Sequence, residues 1–218
     1  MNNIRPREIN TKRLDLRIPT MDEQYRLWEI LKDEEVNKYY FPTPDRIFNK
    51  YNYDKTNIDD LKEARKIFIE QFSDWDRQEV FYQKKIDDIH NLDKEPIYVW
   101  SIFLKGTDTV IGQVSCQDGE DEEKPSIRDV GWYIDPKYQG NGFASEAAKA
   151  MIDFMFNEVD ITDIYTSAAA INPASWRIMD KLGFEYLGLK KSTYYKDNEI
   201  LDARCYHINK DMFNNKGD

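Results

Sequence analysis

Residues 135–145 read DPKYQGNGFAS, in which Gly140 and Gly142 immediately precede an apolar pattern with the spacing of an α-helix. The apolar positions of that helix are Ala144, Ala147, Ala148, Met151, Ile152 and Met155. Glycine allows backbone conformations and close approaches that a Cβ would block, and the first amides of a helix have no carbonyl partner within it. We therefore predict a turn that aims bare amides at an anion such as a diphosphate.

Other interpretations of this turn compete with the diphosphate site. A P-loop requires Gly-Lys-Ser/Thr, whereas Phe143 and Ala144 follow Gly142 here. A dinucleotide-binding turn requires a third glycine and a place directly after the first strand, and both are missing. A glycine turn that merely caps an ordinary helix fits the two glycines as well as an anion site does. From these residues alone, the structural turn and the binding turn both stay open.

The composition narrows the class of protein. The chain has 218 residues, of which 40% are hydrophobic and 14% aromatic, and this favours one globular domain over residues 1–218. It contains no run of 18 apolar residues, so we expect no membrane association. The opening sequence MNNIRPREINTKR lacks the apolar segment of a secretory signal. Because Cys116 and Cys205 are the only cysteines, we expect a reduced protein in the cytoplasm.

The net charge of −10 argues against nucleic acid as a partner, because phosphate backbones attract basic surfaces. An acidic protein can steer cationic small molecules or basic peptides toward a site, although the same charge also serves plain solubility. His90 and His207 lie far apart in the sequence and have no metal-ligand spacing. We therefore predict no metal.

Hydrophobic periodicity predicts a mixed α/β sheet. The predicted strands are Thr11–Ile18, Ile97–Leu104, Val110–Cys116, Ile127–Ile134, Ile164–Ala170, Phe184–Tyr195 and Leu201–Asn209. The predicted helices are one capped by Asp22, one over Ile58–Phe72 capped by Asn57, one that starts near Gly142, and Pro173–Leu182. The charged segment over residues 45–95 is expected to form a long insertion that is helical or irregular.

The turn and its context resemble the GCN5-related N-acetyltransferases (GNAT). Gln139–Ala144 (QGNGFA) matches their Gln/Arg-x-x-Gly-x-Gly/Ala signature, and Asp129–Ile134 resembles their fourth strand. Further matches to the last helix are Asn172–Ser175 and Lys181–Phe184. Thr11–Arg17 and Val110–Gly112 resemble the ribosomal-protein alanine acetyltransferase (RimJ/RimL-type) branch. The similarity covers about residues 9–40 and 97–212, and the segment between them departs from the family.

The resemblance implies a fold, a cofactor and a set of contacts. The fold would be a mostly antiparallel twisted sheet of about seven strands, flanked by helices and splayed between the fourth and fifth strands. Acetyl-CoA would bind in that splay, its pantetheine arm on the fourth strand and its pyrophosphate on the glycine turn. The cofactor-binding residues implied are Trp132, Tyr133, Ile134, Gln139, Gly140, Asn141, Gly142, Phe143, Ala144, Ser145, Asn172 and Ser175.

The reaction implied is direct attack of an amine on the acetyl group, with a strand N–H near Tyr133 or Ile134 as the oxyanion donor. Ser175 would give a proton to the departing thiolate, and Asn172–Ser175 also reads as a helix cap with proline in the first turn. Tyr194 and Tyr195 are alternative acids. Asp129 is the candidate general base, and a solvated carboxylate at the sheet edge is an equally good interpretation of it.

The acceptor stays open at this stage. A lysine amine with a pKa of about 10.4 needs roughly 4–5 kcal/mol to lose its proton at pH 7, whereas an α-amine near 7.8 needs only about 1. The RimJ/RimL-type resemblance favours a protein N-terminus; an aminoglycoside-like antibiotic and a polyamine are alternatives. The acidic loop Glu120–Glu123 would attract a cationic acceptor, or is simply exposed. A non-catalytic acyl-CoA-binding module is a rival function, and a homodimer is a further expectation from the family.

Overall fold

One twisted sheet organises the chain, in a computed structural model that describes residues 4–40, 45–54, 57–118, 127–196 and 199–215. Its strands are β1 (Ile9–Asn10), β2 (Leu14–Arg17), β3 (Tyr98–Leu104), β4 (Val110–Asp118), β5 (Ile127–Ile134), β6 (Asp163–Ala169), β7 (Glu185–Lys196) and β8 (Glu199–Asn209). They lie in the order β1-β2-β3-β4-β5-β6-β8-β7. All neighbouring pairs are antiparallel except β5 and β6, which are parallel.

Helices cover both faces of this sheet. Those within the described residues are α1 (Gln24–Lys32), α2 (Glu34–Tyr40), α3 (Asp45–Tyr51), α4 (Ile58–Ser73), α5 (Trp75–His90), α6 (Phe143–Phe154), α7 (Pro173–Leu182) and α8 (Lys210–Asn215). A 3₁₀ turn over Pro136–Tyr138 precedes α6, and a π-helical turn over Met155–Val159 continues it. None of these described helices is both long enough and apolar enough to cross a bilayer.

The larger core lies between the sheet and α6. The predicted apolar stripe of α6 is confirmed, because Ala147, Ala148, Met151 and Ile152 are all fully buried. They pack with the buried side chains of the central strands, among them Trp100. The indole Nε1 of Trp100 donates to a main-chain carbonyl 2.7 Å away, so its polar atom is satisfied inside the core.

The charged segment after α2 is helical, and it builds the core on the opposite face. Its helices pack against α1, and the indole of Trp28 donates to the carbonyl of Phe72 at 2.9 Å across that contact. The predicted cap of α4 is confirmed, since the Asn57 side chain accepts from two amides of the first turn. The predicted cap of α1 was wrong: the helix begins at Gln24, with Glu23 at the N-cap position and no side-chain cap.

Glu23, rather than Asp22, is the acidic residue held at the start of α1. Its carboxylate accepts from the amide and the hydroxyl of Thr20 and from the buried hydroxyl of Ser101 on β3. The contact with Thr20 joins residues three apart, whereas the contact with Ser101 joins residues 78 apart and cannot be read from a local pattern.

The splay predicted from the family resemblance is confirmed between β5 and β6. The two strands pair at two positions, Ile127 with Asp163 and Arg128 with Ile164, and then separate. The described residues form eight strands rather than about seven, because the two-residue strand Ile9–Asn10 adds to the edge of β2. From the point of separation onward, β5 presents one edge of its backbone to a gap in the sheet.

Candidate functional site

The N–H and C=O groups of every second residue of β5 point into this gap. The Asp135 amide donates to the carbonyl of Ile111 at 2.8 Å, which fixes the hydrogen-bonding phase of the β4–β5 ladder. By the antiparallel alternation, Tyr133 is then bonded to β4, whereas the N–H and C=O groups of Trp132 and Ile134 point away from it. Two contacts agree with this phase, since the carbonyls of Val130 and Ile134 accept from side chains outside β4.

Those two side-chain contacts close the ends of the exposed edge. The hydroxyl of Thr166 donates to Val130 O at 3.2 Å, and the side-chain amide of Gln139 donates to Ile134 O at 2.9 Å. Between them, the amides of Trp132 and Ile134 face the gap. A polar backbone edge of this kind can pair with an amide-bearing ligand as a further strand would.

A buried carboxylate anchors the turn that follows β5. Asp135 is 3% exposed and accepts from the amide of Lys137 at 3.0 Å, which starts the 3₁₀ turn. Its other oxygen pairs with the guanidinium of Arg26 on α1. A buried charge is costly unless it is paired and hydrogen-bonded, and both requirements are met here. The turn is therefore held against α1 at its first residue.

The two glycines are required by the backbone of the turn. Gly140 and Gly142 have φ values of +74° and +77°, in the left-handed region that a side chain disfavours. A Cβ on Gly140 would meet no atom within 4 Å, so conformation and not crowding selects glycine there. The helix α6 starts at the next residue, and Gly142 gives it no side-chain cap. The amides of its first turn, which have no carbonyl partner in the helix, thus stand at the mouth of the gap.

The gap and the turn form the walls of one cavity of about 510 Å³, a size common among ligand sites. Its lining residues are Glu35, Val36, Trp132, Tyr133, Ile134, Tyr138, Gln139, Gly140, Gly142, Phe143, Ala144, Ser145, Asn172, Pro173, Ala174, Ser175 and Ile178. The cavity thus brings together residues from β5, the glycine turn, α6, α7 and α2.

Asn172 and Ser175 meet at the cavity wall where α7 begins. The Oδ1 atom of Asn172 accepts from the Ser175 amide at 3.3 Å, so Asn172 caps the helix, with Pro173 in its first turn. The Asn172 Nδ2 atom donates to the Ser175 hydroxyl oxygen at 3.0 Å. A hydroxyl that accepts this bond keeps its own hydrogen for another acceptor. The cap and a proton-donating role are therefore compatible at the same residues.

Two residues of the predicted site lie outside the cavity lining. Asn141 turns its side-chain amide back onto the carbonyls of Tyr138 and Gln139, both at 3.1 Å, and so braces the turn. Asp129 lies at the far end of β5, where one carboxylate oxygen accepts from the Val130 amide at 2.7 Å. The loop Glu120–Glu123 and the side chains of Tyr194 and Tyr195 lie outside the described residues.

Sequence reasoning missed the part of the cavity wall that α2 contributes. Glu35 and Val36 belong to α2 and line the cavity there, although they are about 100 residues from the motif. No local pattern marks them, because they reach the site only through the packing of α1 and α2 over the sheet. Four more lining residues were missed: Tyr138, Pro173 and Ala174 lie inside motifs that had been recognised, and Ile178 lies on the predicted helix that follows.

Comparison with known families agrees with this arrangement. The family model described as an acetyltransferase (GNAT) domain matches residues 13–185. The chain belongs to the GNAT acetyltransferases. It is therefore an acetyl-CoA-dependent N-acetyltransferase, and acetyl-CoA is its co-substrate.

Relatives of this GNAT chain align along nearly its whole length. It is 27% identical to YnaD of Bacillus subtilis (strain 168), an uncharacterised N-acetyltransferase, over 94% of this chain and 99% of YnaD. Its fold resembles mutant forms of the spermidine/spermine N-acetyltransferase SpeG from Vibrio cholerae, with TM-score 0.66, 17% identity and coverage of 95% and 100%. RimL, a ribosomal α-N-protein acetyltransferase solved with coenzyme A, gives TM-score 0.60 and 16% identity, over 93% and 97%.

The polar groups of this cavity in the GNAT domain are of the kinds that the co-substrate can bind. Acetyl-CoA combines a diphosphate with an amide-bearing arm, and the cavity joins bare helix amides to an open strand edge. Within the described part of the chain, His, Cys, Asp and Glu side chains form no group of three that would hold a metal ion.

The first prediction concerns the glycine turn of the GNAT site. Gly142→Asp forces a side chain into the left-handed region, and its Cβ would lie 3.5 Å from Nη2 of Arg13, so the new carboxylate would compete for the guanidinium that holds the turn. We expect the dissociation constant for coenzyme A, measured by titration calorimetry, to rise at least about tenfold. Affinity equal to that of the parent would contradict the diphosphate assignment.

The second prediction concerns a close approach between β4 and β5. A Cβ on Gly112 would lie 2.1 Å from the Tyr133 carbonyl oxygen, whereas one on Gly131 would meet its nearest atom, Ser115 Oγ, at 3.6 Å. Gly112→Ala should therefore lower the free energy of unfolding by about 1–3 kcal/mol, because β5 must shift.

Gly131→Ala is the matched control for this substitution, since it adds the same methyl group to the same pair of strands. It should leave the free energy of unfolding unchanged or slightly raised, because it restricts the unfolded chain. Urea unfolding of both variants measures the difference. Equal stabilities would show that the Tyr133 backbone does not depend on Gly112.

Proposed function

We propose that this acetyltransferase acts on a primary amine, and that the α-amine of a peptide N-terminus is the preferred acceptor. One observation carries the proposal: a single cavity joins the glycine turn, the open edge of β5, the Asn172–Ser175 turn and Glu35 of α2. A donor seated on the first three features would present its acetyl end to the fourth.

The backbone holds the donor in this proposal. The first-turn amides of α6, from Gly142 to Ser145, bind the diphosphate, and the positive end of the helix dipole adds about 0.3–2 kcal/mol. The strand edge at Trp132 and Ile134 pairs with the pantetheine arm. The Trp132 amide, which the ladder also directs into the gap and which lies farther from the glycine turn than Ile134, polarises the thioester carbonyl as attack begins.

Ser175 supplies the proton that the departing thiolate needs. Its hydroxyl accepts from Asn172 at 3.0 Å, so its hydrogen points elsewhere, and it lines the same cavity as the open strand edge. Because Asn172 is 7% exposed and fixed as the helix cap, the serine is held in one orientation. The co-substrate supplies an activated acetyl thioester, and no enzyme nucleophile is required.

The scarcity of carboxylates in the cavity favours an α-amine. Glu35 is the carboxylate among the described lining residues, and the candidate base Asp129 does not line the cavity. At pH 7.5 about one third of an α-amine with a pKa near 7.8 is neutral, whereas only about one part in a thousand of a lysine-type amine near 10.4 is. A cavity with one carboxylate residue among its described lining residues therefore suits an α-amine, which needs less help from a general base. In this proposal Glu35 attracts the protonated amine before the amine loses its proton.

A polyamine is the second candidate acceptor. It is favoured by Glu35 together with the net charge of −10, and by the structural likeness to SpeG, which acts on spermidine and spermine. The likeness to RimL, a protein α-N-acetyltransferase, supports the first candidate, although both likenesses concern the fold. The acceptor assay described next also tests two further alternatives, an aminoglycoside acceptor and a non-catalytic acyl-CoA-binding module.

The acceptor assay tests the function directly, by thiol release from acetyl-CoA at pH 7.5. A peptide with a free N-terminus should give a kcat/KM at least about tenfold above that of its N-acetylated, lysine-containing form. Spermidine and an aminoglycoside complete the panel. A faster reaction with spermidine would establish the second candidate, and coenzyme A binding without thiol release would establish the non-catalytic module.

Glu35→Gln separates acceptor binding from donor binding in that assay. It should lower kcat/KM for the acceptor about tenfold while leaving the KM for acetyl-CoA within twofold, because a charged contact is lost at one end of the cavity only. Glu34→Gln is the matched control, since this neighbouring glutamate on α2 is exposed, as Glu35 is, but does not line the cavity. Equal effects of both variants would argue for long-range charge alone.

Ser175→Ala should reduce turnover more than donor affinity. We expect kcat to fall at least about tenfold, in line with the loss of a positioned acid, while the dissociation constant for coenzyme A changes less than threefold. Stopped-flow turnover and calorimetry measure the two quantities. Losses of equal size in both would point to a helix cap with no part in proton transfer.

We also propose that residues 1–218 form a single domain that works in the cytoplasm as a homodimer. β8 lies beyond the matched residues 13–185 yet pairs with both β6 and β7, so the end of the chain belongs to the same sheet.

Both cysteines are thiols, which suits a reducing compartment. Leu187 and Leu189 on the edge strand β7 are each 50% exposed, which supports a subunit contact there. Sedimentation equilibrium tests the dimer.

A further inference from the structure

We propose that Arg13 is a positioning residue that fixes the orientation of the Asn141–Gly142 peptide and so aims the Gly142 amide at the diphosphate of acetyl-CoA. The inference rests on the proposed diphosphate site. It assigns a role to a residue that lies outside the cavity lining and about 130 positions from the glycine turn in the sequence.

Arg13 touches the turn and the helix that follows it at several points. Its Nη1 atom donates to the Asn141 carbonyl at 2.9 Å, and its guanidinium lies over the ring of Phe143 at 4.6 Å. Its Nε atom donates to Oε2 of Glu146 at 2.7 Å, and its backbone amide donates to Oε1 at 2.9 Å. One side chain thus holds both the end of the turn and the first turn of α6.

The contact with the Asn141 carbonyl determines where the next amide points. In a planar trans peptide the C=O and N–H bonds point in opposite directions. Because the carbonyl of Asn141 is held toward Arg13, the amide of Gly142 is directed away from Arg13. Gly142 lines the cavity and Arg13 does not, so the side away from Arg13 is the side of the cavity.

An anchor is needed because this peptide has an accessible alternative. Asn-Gly sequences favour turns, and glycine tolerates the φ values of both turn types that a peptide rotation interconverts. Rotation would turn the Asn141 carbonyl into the cavity, where its oxygen would repel a diphosphate. The Asn141 side chain does not prevent this, because it bonds to the carbonyls of Tyr138 and Gln139.

The Arg13 guanidinium also offsets the negative charge of Glu146, which lies near the proposed diphosphate site. Glu146 lies in the first turn of α6, where its carboxylate suits the helix dipole but would repel a diphosphate. Burial by itself raises the pKa of Glu146, but hydrogen bonds from Thr11 and Arg13 outweigh it and hold the pKa below its usual value. The carboxylate is therefore charged at neutral pH, and the Arg13 guanidinium offsets it.

Arg13→Ala tests the proposal against a matched control, Arg17→Ala. Arg17 belongs to the same N-terminal segment, lies over the ring of Phe103 at 4.1 Å and pairs with Asp108 at 3.2 Å. Both variants therefore lose an ion pair and a cation–π contact. We expect Arg13→Ala to raise the dissociation constant for coenzyme A about tenfold, and Arg17→Ala to change it less than twofold. Equal changes would overturn the proposal.

A truncated donor distinguishes positioning of the diphosphate from general damage. S-acetylpantetheine lacks the diphosphate, so Arg13→Ala should leave its kcat/KM within twofold of the parent while the KM for acetyl-CoA rises about tenfold. A parallel loss with both donors would overturn the proposal. If the parent protein binds no coenzyme A, the proposed diphosphate site is wrong. If the parent binds coenzyme A and Arg13→Ala behaves like Arg17→Ala, the diphosphate site stands and only the role of Arg13 is wrong.

Arg13→Lys provides the conservative variant. Lysine keeps the charge but lacks the planar fork that spans Glu146 and the Asn141 carbonyl together, so it should recover only part of the lost affinity. Full recovery would show that charge alone suffices and would overturn the orientation argument.

Discussion

The separation of β5 from β6 after two paired residues is the constraint on which the rest of the site depends. The backbone N–H and C=O groups of a strand inside a sheet normally all bond to the adjacent strands. Buried backbone groups without partners are costly. Here Thr166 and Gln139 satisfy the carbonyls at the two ends of the open edge, and the groups between them face a cavity. The fold thus keeps polar backbone available to a ligand without leaving the ends of the edge unpaired.

The parallel relation of β5 and β6 follows from the helix between them. A strand, a helix and a parallel strand form a crossover, and the helix of such a unit starts at the carboxyl end of its first strand. This connection puts the start of α6 at the same end of the sheet as the gap. Helix amides and open strand edge therefore come from one continuous segment, residues 127–154, and their proximity needs no long-range contact.

The position of the turn, in contrast, depends on two arginines from the start of the chain. Arg26 on α1 binds the buried Asp135 where the turn begins, and Arg13 binds Asn141 and Glu146 where it ends. The carboxylate of Asp135 is buried, so its ion pair with Arg26 is screened less by salt than a surface pair is, whereas the pair of Arg13 and Glu146 is partly exposed. The N-terminal segment thus braces the glycine turn, for which we propose anion binding and in which Lys137 is the one cationic residue of positions 135–145.

Local sequence patterns determined those parts of the protein that are built from neighbours in the chain. The stripe from Ala144 to Met155, the cap at Asn57 and the Asn172–Ser175 turn all follow from the periodicity of a helix and from its unpaired end groups. The family resemblance added the splay. Tertiary structure alone decided that Glu35 lines the cavity, that Asp129 does not, that Arg13 reaches Asn141, and that Glu23 bonds to Ser101. The physical reason is that hydrogen bonds within a helix or turn join residues about four apart, whereas these contacts join elements up to 130 residues apart that meet only after the sheet has assembled.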